Sequence, residues 1–272
     1  AYGVYAYEGS TAINKGSIST EGYKSYGMRV SNIADFKDIL NGKPDLKQIY
    51  SYEDFNTKIA TGENRGDIKT TGESSYGISA TNGVSIANIG NIITTGNYST
   101  GININFGSSG SNSKNIKTTG TEAKGVRLVS SLYQMDEVDY KENGNYGYSE
   151  IIFKTDKGST FTNLKNGVIE TTGEKSYGIY LESYFADEEA LKTAQNNEVD
   201  LVVGEVPKSS VTNDGTIKTA GDKAYGIYAI NSIVNNNGLI HTKGKGAYGI
   251  YAVNGSEVNH NGKIHVQDPN AY

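Results

Sequence analysis

The sequence predicts an all-β fold, a right-handed parallel β-helix of about 24 residues per coil with three insertions, two of them partly helical. Three observations carry that expectation. Two short words alternate along the chain, their spacing stays near 24 residues except at three places, and apolar residues recur at fixed offsets from both words. The first word is of the Tyr-Gly-Ile kind and opens at Tyr2, Tyr26, Tyr76, Tyr177, Tyr225 and Tyr248, with weaker copies at Thr100 and Lys124. The second is Gly-x-Ile-x-Thr-x-Gly, opening at Gly16, Gly66, Gly90, Gly167, Gly215 and Gly238, with decayed copies at Lys114 and Gly262.

A unit of this length holds three strands of about five or six residues and their turns, one coil of a three-sided solenoid. Strand one is typified by Tyr225 to Ala229, strand two by the looser Val84-Ser85-Ile86, and strand three by Ile92-Ile93-Thr94. Side chains alternate faces along a strand, so parity separates core from surface. In strand one the column Val4, Met28, Ile78, Ile102, Val126, Ile179, Ile227 and Ile250 is apolar throughout, as is the column two residues later, from Ala6 and Val30 to Ala252. Strand three adds Ile18, Ile68, Ile92, Ile116, Ile169, Ile217, Ile240 and Ile264, whereas its intervening column drifts from Ser19 through Lys69 to His265. Two residues before the strand-three glycine stand Asn14, Asn64, Asn88, Asn112, Asn213 and Asn236, with Lys165 and His260 as exceptions. Asparagine tolerates left-handed turns, and its amide can bond the same amide one coil away. The right hand is the usual hand of parallel crossovers.

Three intervals, Tyr26 to Tyr76, Lys124 to Tyr177 and Tyr177 to Tyr225, run to about twice the period. Each excess is close to one coil, so degenerate coils are the alternative, but a change of local chemistry favours insertions, at about residues 31–56, 129–157 and 182–205. Asp187 to Ala194 has a helix start followed by good helix formers. Ile33 to Phe55 places Phe36, Ile39 and Leu40, then Leu46, Ile49 and Tyr50, at helical spacing. Ser131 to Phe153 reads as a hairpin turning at Asn143-Gly144. All three open after strand one, which places them on one side of the rod.

Composition narrows the function. The 272 residues include 34 Gly and 21 Tyr but only 3 Pro, and no Cys or Trp. Without cysteine there is no disulfide, zinc-thiolate or thiol nucleophile. A net charge of −5 and three arginines argue against a nucleic-acid surface. No run of about 18 apolar residues crosses a membrane as a helix. The start at Ala1-Tyr2-Gly3 and the end at Asn270-Ala271-Tyr272 read as a fragment or a mature product.

The words Gly238 to Gly244 and Ala247 to Ala252 resemble the repeats of passenger regions in giant type V autotransporter adhesins, the fusobacterial ones in particular. The likeness covers everything but the interruptions. It implies a bacterial cell-surface location, a parent attached to the outer membrane through a C-terminal barrel, and partners that are proteins or glycans of host cells or other bacteria. Lys114 for Gly and Lys124 for Tyr depart from the pattern and suggest local loosening near the middle.

Each candidate site has a plainer rival. Arg65-Gly66-Asp67 spells an integrin-type tripeptide, yet Gly66 is the repeat glycine. His241 and His265 fall on equivalent outward positions of successive coils, about 4.8 Å apart, without the further ligands a metal needs. The threonine column from Thr20 to Thr242 shares the parity of the core isoleucines and stacks inward, hydroxyl on hydroxyl, rather than forming an ice-binding face. No paired carboxylates are positioned for glycan cleavage. No catalytic residue, metal or cofactor is therefore assigned, and the expected function is non-enzymatic: a stalk displaying loops for attachment. The alternatives are a glycan-binding module and, behind it, a glycan-degrading β-helical enzyme. The outward column of strand one, Tyr5, Arg29, Ser79, Asn103, Arg127, Tyr180, Tyr228, Tyr251, ends in tyrosines that offer aromatic surface. Tyr180, Tyr228 and Tyr251, with Tyr133, Tyr140, Tyr146 and Tyr148 of the second insertion, are the candidate partner-binding residues.

Overall fold

In the computed structural model the described residues are 1–7, 9–32, 43–51 and 59–268. The chain winds through eight coils, each contributing one strand to each of three parallel sheets. Sheet 1 takes the Tyr-Gly strands, from Tyr2–Tyr7 in coil 1 to Tyr248–Val253 in coil 8. Sheet 2 runs from Thr11–Asn14 to Glu257–His260, and sheet 3 from Ser17–Glu21 to Lys263–Gln267. Register follows the repeat: Ile78 pairs with Met28 and Ile102, and Ile92 with Ile68 and Ile116. With parallel strands about 4.8 Å apart, the stack is on the order of 40 Å long.

The apolar columns fill the interior. Met28, Ile78, Ile102, Ile116, Ile169, Ile179, Ile217, Ile227 and Ile240 are all buried in one continuous core. Each such side chain contributes roughly 1.5–3 kcal/mol by leaving water. The glycine of the Tyr-Gly word is forced by this packing. At Gly178 a Cβ would run into Ile217 Cγ2 of sheet 3, and it would stand 2.5 Å from the Gly226 carbonyl. Gly178 and Ile179 are both buried, so two successive positions turn inward at the corner and the strand parity shifts there.

The asparagine column forms an unbroken chain of buried amides. Asn14 Nδ2 donates to Asn64 Oδ1 at 2.7 Å, and the same bond repeats from Asn64 to Asn88, Asn112, Asn163, Asn213 and Asn236 at 2.7–2.9 Å. The coil-5 member is Asn163 and not Lys165, because the turn to Gly167 is two residues longer than elsewhere. His260 ends the chain, its Nδ1 3.0 Å from Asn236 Nδ2. The ladder asparagines have no positive φ; the left-handed asparagines are Asn82, Asn231, Asn254 and Asn143, at other turns. The threonine column is buried as expected, but its hydroxyls do not bond one another. Thr70, Thr94, Thr118, Thr219 and Thr242 leave theirs without a partner: Ala123, Ala224 and Ala247 stand where a serine would serve the last three, and Ser75 and Ser99 donate instead to the Gly22 and Gly96 carbonyls. Coils 4 and 5 are paired throughout, with no loosening at Lys114 or Lys124.

The insertions leave the coil at one point. In coils 1, 3, 4 and 8 a left-handed glycine, such as Gly83 or Gly107, stands in the link from sheet 1 to sheet 2, and coil 7 makes the link without it, through left-handed Asn231. In coils 2, 5 and 6 the position of that glycine is taken by residues 33–59, 131–158 and 184–208. The departing residue caps the returning backbone each time. Ala60 N donates to Asn32 Oδ1 at 2.8 Å, Ser159 N to Ser130 Oγ at 2.7 Å, and Ser209 N to Ser183 Oγ at 2.7 Å. The coil closes as though nothing had been inserted.

The second insertion is a hairpin. Strand Lys124–Glu142 runs on from sheet 1 and pairs antiparallel with Asn145–Lys154 through Asn143 and Gly144, both at positive φ. The third insertion contains helix α1, Glu188–Asn196, with the Asp187 carboxylate capping Ala190 N at 2.6 Å. For the first insertion the helical expectation fails over Leu46 to Tyr50. Ile49–Ser51 is instead a strand, pairing parallel with Ile152 to Lys154, which satisfies an open sheet edge that a short helix could not. The remainder of that expected helix, including Phe36, Ile39, Leu40 and Phe55, lies outside the described residues.

Candidate binding face and flanking lobe

The described parts of the three insertions converge into one lobe on the corner between sheets 1 and 2. Tyr133, Leu132 and Ile152 of the hairpin pack against Ala190 and Ala194 of α1, with Ile49, Phe185, Val199 and Leu201 around them. On its other face the hairpin places Val138, Ile151 and Phe153 against Tyr50 of the first insertion. A shallow cavity of about 620 Å³ lies between Ile49–Ser51, Tyr133, Lys154, Asp156 and Val202, drawing on all three insertions. The lobe is fastened to coil 3 by Asn82, which donates to Asp136 Oδ2 at 3.1 Å and accepts from Gln134 Nε2 at 3.1 Å. Burial raises Asp136 from the ordinary carboxylate value to about 6.

The outer face of sheet 1 carries the tyrosines in ladders. Tyr180, Tyr228 and Tyr251 stack at 5.6 and 5.3 Å between ring centres. Beside them Tyr177, Tyr225 and Tyr248 stack at 5.3 and 5.2 Å, edge-on to the first row. The parity shift at Gly178 brings this second row to the same face. The strand alternation used above takes no account of that shift, although the glycine of every Tyr-Gly word marks it. A second group, Tyr2, Tyr5, Tyr7, Tyr26 and Tyr76, occupies coils 1–3, with the Arg29 guanidinium 5.4–5.8 Å from three of its rings.

This geometry changes what the tyrosines can do. Their faces are spent on one another along the rod, so edges and hydroxyls, not faces, are presented outward. Sugar stacking on exposed faces is not what rings 3–19° out of parallel offer. Tyr180 is further engaged, its hydroxyl donating to Glu182 Oε2 at 2.8 Å, and burial first, then that carboxylate, push its pKa up. Of the insertion tyrosines, Tyr133 is not a surface residue: it is 1% exposed and donates to the Val202 carbonyl at 3.0 Å, because the hairpin face it occupies is covered by α1. Tyr140 is half-buried against Gly147 across the hairpin, while Tyr146 and Tyr148 are 73% and 72% exposed.

The remaining motifs resolve into structure. Arg65 is held bidentate by Glu63 at 2.8 and 2.9 Å, and Asp67 accepts from Asn91, so the Arg-Gly-Asp tripeptide is fixed on a coil corner. His241 and His265 stack with ring centres 4.8 Å apart. Among the described residues no three His, Asp or Glu side chains are grouped to hold a metal ion, and no helix is long and apolar enough to cross a membrane. No protein-family model, curated protein or solved structure matches this chain.

Proposed function

We propose that the chain is a non-enzymatic, surface-exposed segment of a secreted bacterial adhesin of the autotransporter-passenger kind, a rigid rod that carries its partner-binding surface on one flank. The observation that carries this reading is the convergence of three insertions, from coils 2, 5 and 6, into one lobe with its own apolar clusters. The coils are constrained by stacking, with each interior column and each asparagine repeated along the axis. Recognition is commonly built on segments that a rigid scaffold holds but does not constrain. The resemblance of the repeats to adhesin passengers supports the bacterial surface, with attachment through a C-terminal barrel of the parent. The partner is then a protein or glycan of a host cell or another bacterium.

The test replaces residues 33–59, 131–158 and 184–208 each by one glycine, as in coil 3. The trimmed rod is expected to keep its β circular dichroism and to lose binding to host or bacterial cells. Undiminished cell binding by a folded, trimmed rod refutes the lobe as the binding surface. Cleavage of any polysaccharide by the parent chain, abolished by a single carboxylate substitution, refutes the non-enzymatic reading.

A further inference from the structure

Between the two tyrosine groups of sheet 1, the pattern breaks at coils 4 and 5. Asn103 and Arg127 take the places of the first tyrosine row, that of Tyr180, and Thr100 and Lys124 those of the second, that of Tyr177. The two cations are neighbours on one strand and both are half-buried. Arg127 is oriented by two amide oxygens: Nη1 donates to Asn103 Oδ1 at 3.1 Å and to Asn105 Oδ1 at 3.3 Å. Lys124 is seated with its ammonium 5.3 Å from the Tyr177 ring and 5.7 Å from the Tyr180 ring, donating to the Glu122 carbonyl oxygen at 3.2 Å. Every acceptor these hydrogen bonds use is neutral. Among the described residues neither cation forms an ion pair, and the neighbouring Glu182 is taken by the Tyr180 hydroxyl.

Two half-buried cations side by side, each positioned by neutral oxygens, leave donors free for an anion. Desolvation, then Arg127, lowers Lys124 to about 8 against a smaller opposite pull from Glu122, and the negative charge of a bound anion would offset that lowering. From this pair the tyrosine rows lead away along the rod through coils 6–8, presenting hydroxyls and ring edges about every 5 Å. A ladder of hydroxyl groups suits a polyhydroxylated chain laid along the axis, whereas an acidic peptide would need carboxylate receptors at several coils and finds only this one.

We propose that Lys124 and Arg127 receive the carboxylate or sulfate of an acidic saccharide whose chain lies along the tyrosine rows of sheet 1. This deepens the partner-binding reading but is independent of the lobe, so either can fail alone.

The full chain is titrated calorimetrically, at low salt, with trigalacturonate, with its fully methyl-esterified form, and with a triglutamate peptide. Trigalacturonate is expected to bind, its neutral ester at least tenfold more weakly, and triglutamate no better than the ester. Arg127→Gln and Lys124→Met are each expected to weaken the acidic saccharide about tenfold or more. Lys245→Met, an exposed lysine elsewhere, is expected to leave it unchanged. Melting curves establish that the variants are folded. A second readout needs no variant: saturating trigalacturonate is expected to slow acylation of the Lys124 amine at pH 8, read by peptide mass spectrometry. Equal binding of acid and ester, unchanged binding by folded Arg127→Gln, or unprotected Lys124 overturns the site. Triglutamate binding as well as trigalacturonate overturns the saccharide assignment.

Discussion

Asn163→Ala tests whether the asparagine ladder stabilises the rod as a chain or as separate turns. Asn163 is fully buried; its Oδ1 accepts from Asn112 Nδ2 at 2.9 Å and its Nδ2 donates to Asn213 Oδ1 at 2.8 Å and to the Gly167 carbonyl at 3.2 Å. Alanine removes these bonds and leaves the Asn213 oxygen without its amide donor in a dry interior. With about 1 kcal/mol net for each of the bonds to Asn112 and Gly167, and about 1–3 kcal/mol for the Asn213 acceptor left buried and unpaired, the expected cost is about 3–5 kcal/mol. Asn163→Leu restores volume but no donor, so it should fare no better. Asn14 sits at the end of the ladder, donating only to Asn64 and accepting from Gly16 N at 3.1 Å, and Asn14→Ala should cost about 1–2 kcal/mol. Urea denaturation followed by circular dichroism measures both. Equal costs at the two positions, or less than about 1 kcal/mol at Asn163, would refute the view that each amide is worth what its two neighbours make of it.

Other expectations follow from the same packing. Ile179→Ala and Ile227→Ala, each at a fully buried core position, should each lower stability by roughly 2–5 kcal/mol in the same denaturation assay. Gly178→Ala should be at least as damaging as either, because its Cβ collides with the Gly226 backbone, which cannot rotate away as a side chain can; a neutral effect in thermal melting would show that the corner is misread. Asp136 is raised from 3.8 to about 6 in the folded chain by burial, with Asn82, Arg29, Tyr5 and Glu137 facing it. Its protonated form is therefore favoured by folding, and its contribution to stability is fully present below about pH 4 and is lost as pH rises through about 6. Proteolysis of the lobe should accelerate over that window, and Asp136→Asn should flatten the pH dependence; an unchanged profile in the variant rules the residue out as its source.

Periodicity along the chain is enough to specify the rod. Columns such as Met28, Ile78 and Ile102, and the asparagines from Asn14 to Asn236, are periodic, and in a parallel stack a residue's partner is its own copy one coil away. Period therefore converts directly into contact, and the three strands, their register and the hairpin turn at Asn143-Gly144 could be read without coordinates. The capped helix after Asp187 was legible for a different reason, that its signals are local. Features that depend on non-repeating neighbours came instead from long-range packing. Ile49 and Tyr50 have helical spacing but find a hairpin edge, supplied by residues about a hundred positions later, and become a strand. Tyr133 carries the same side chain as Tyr148, but α1 covers the first and leaves the second in solvent. The second tyrosine row reached the outer face only because Gly178 and Ile179 both turn inward, a corner that strict alternation does not describe. Their common exit after strand one puts the three insertions on one side, but their packing into one lobe carries no sequence signal, because it is made by unique apolar contacts among segments that share no repeat.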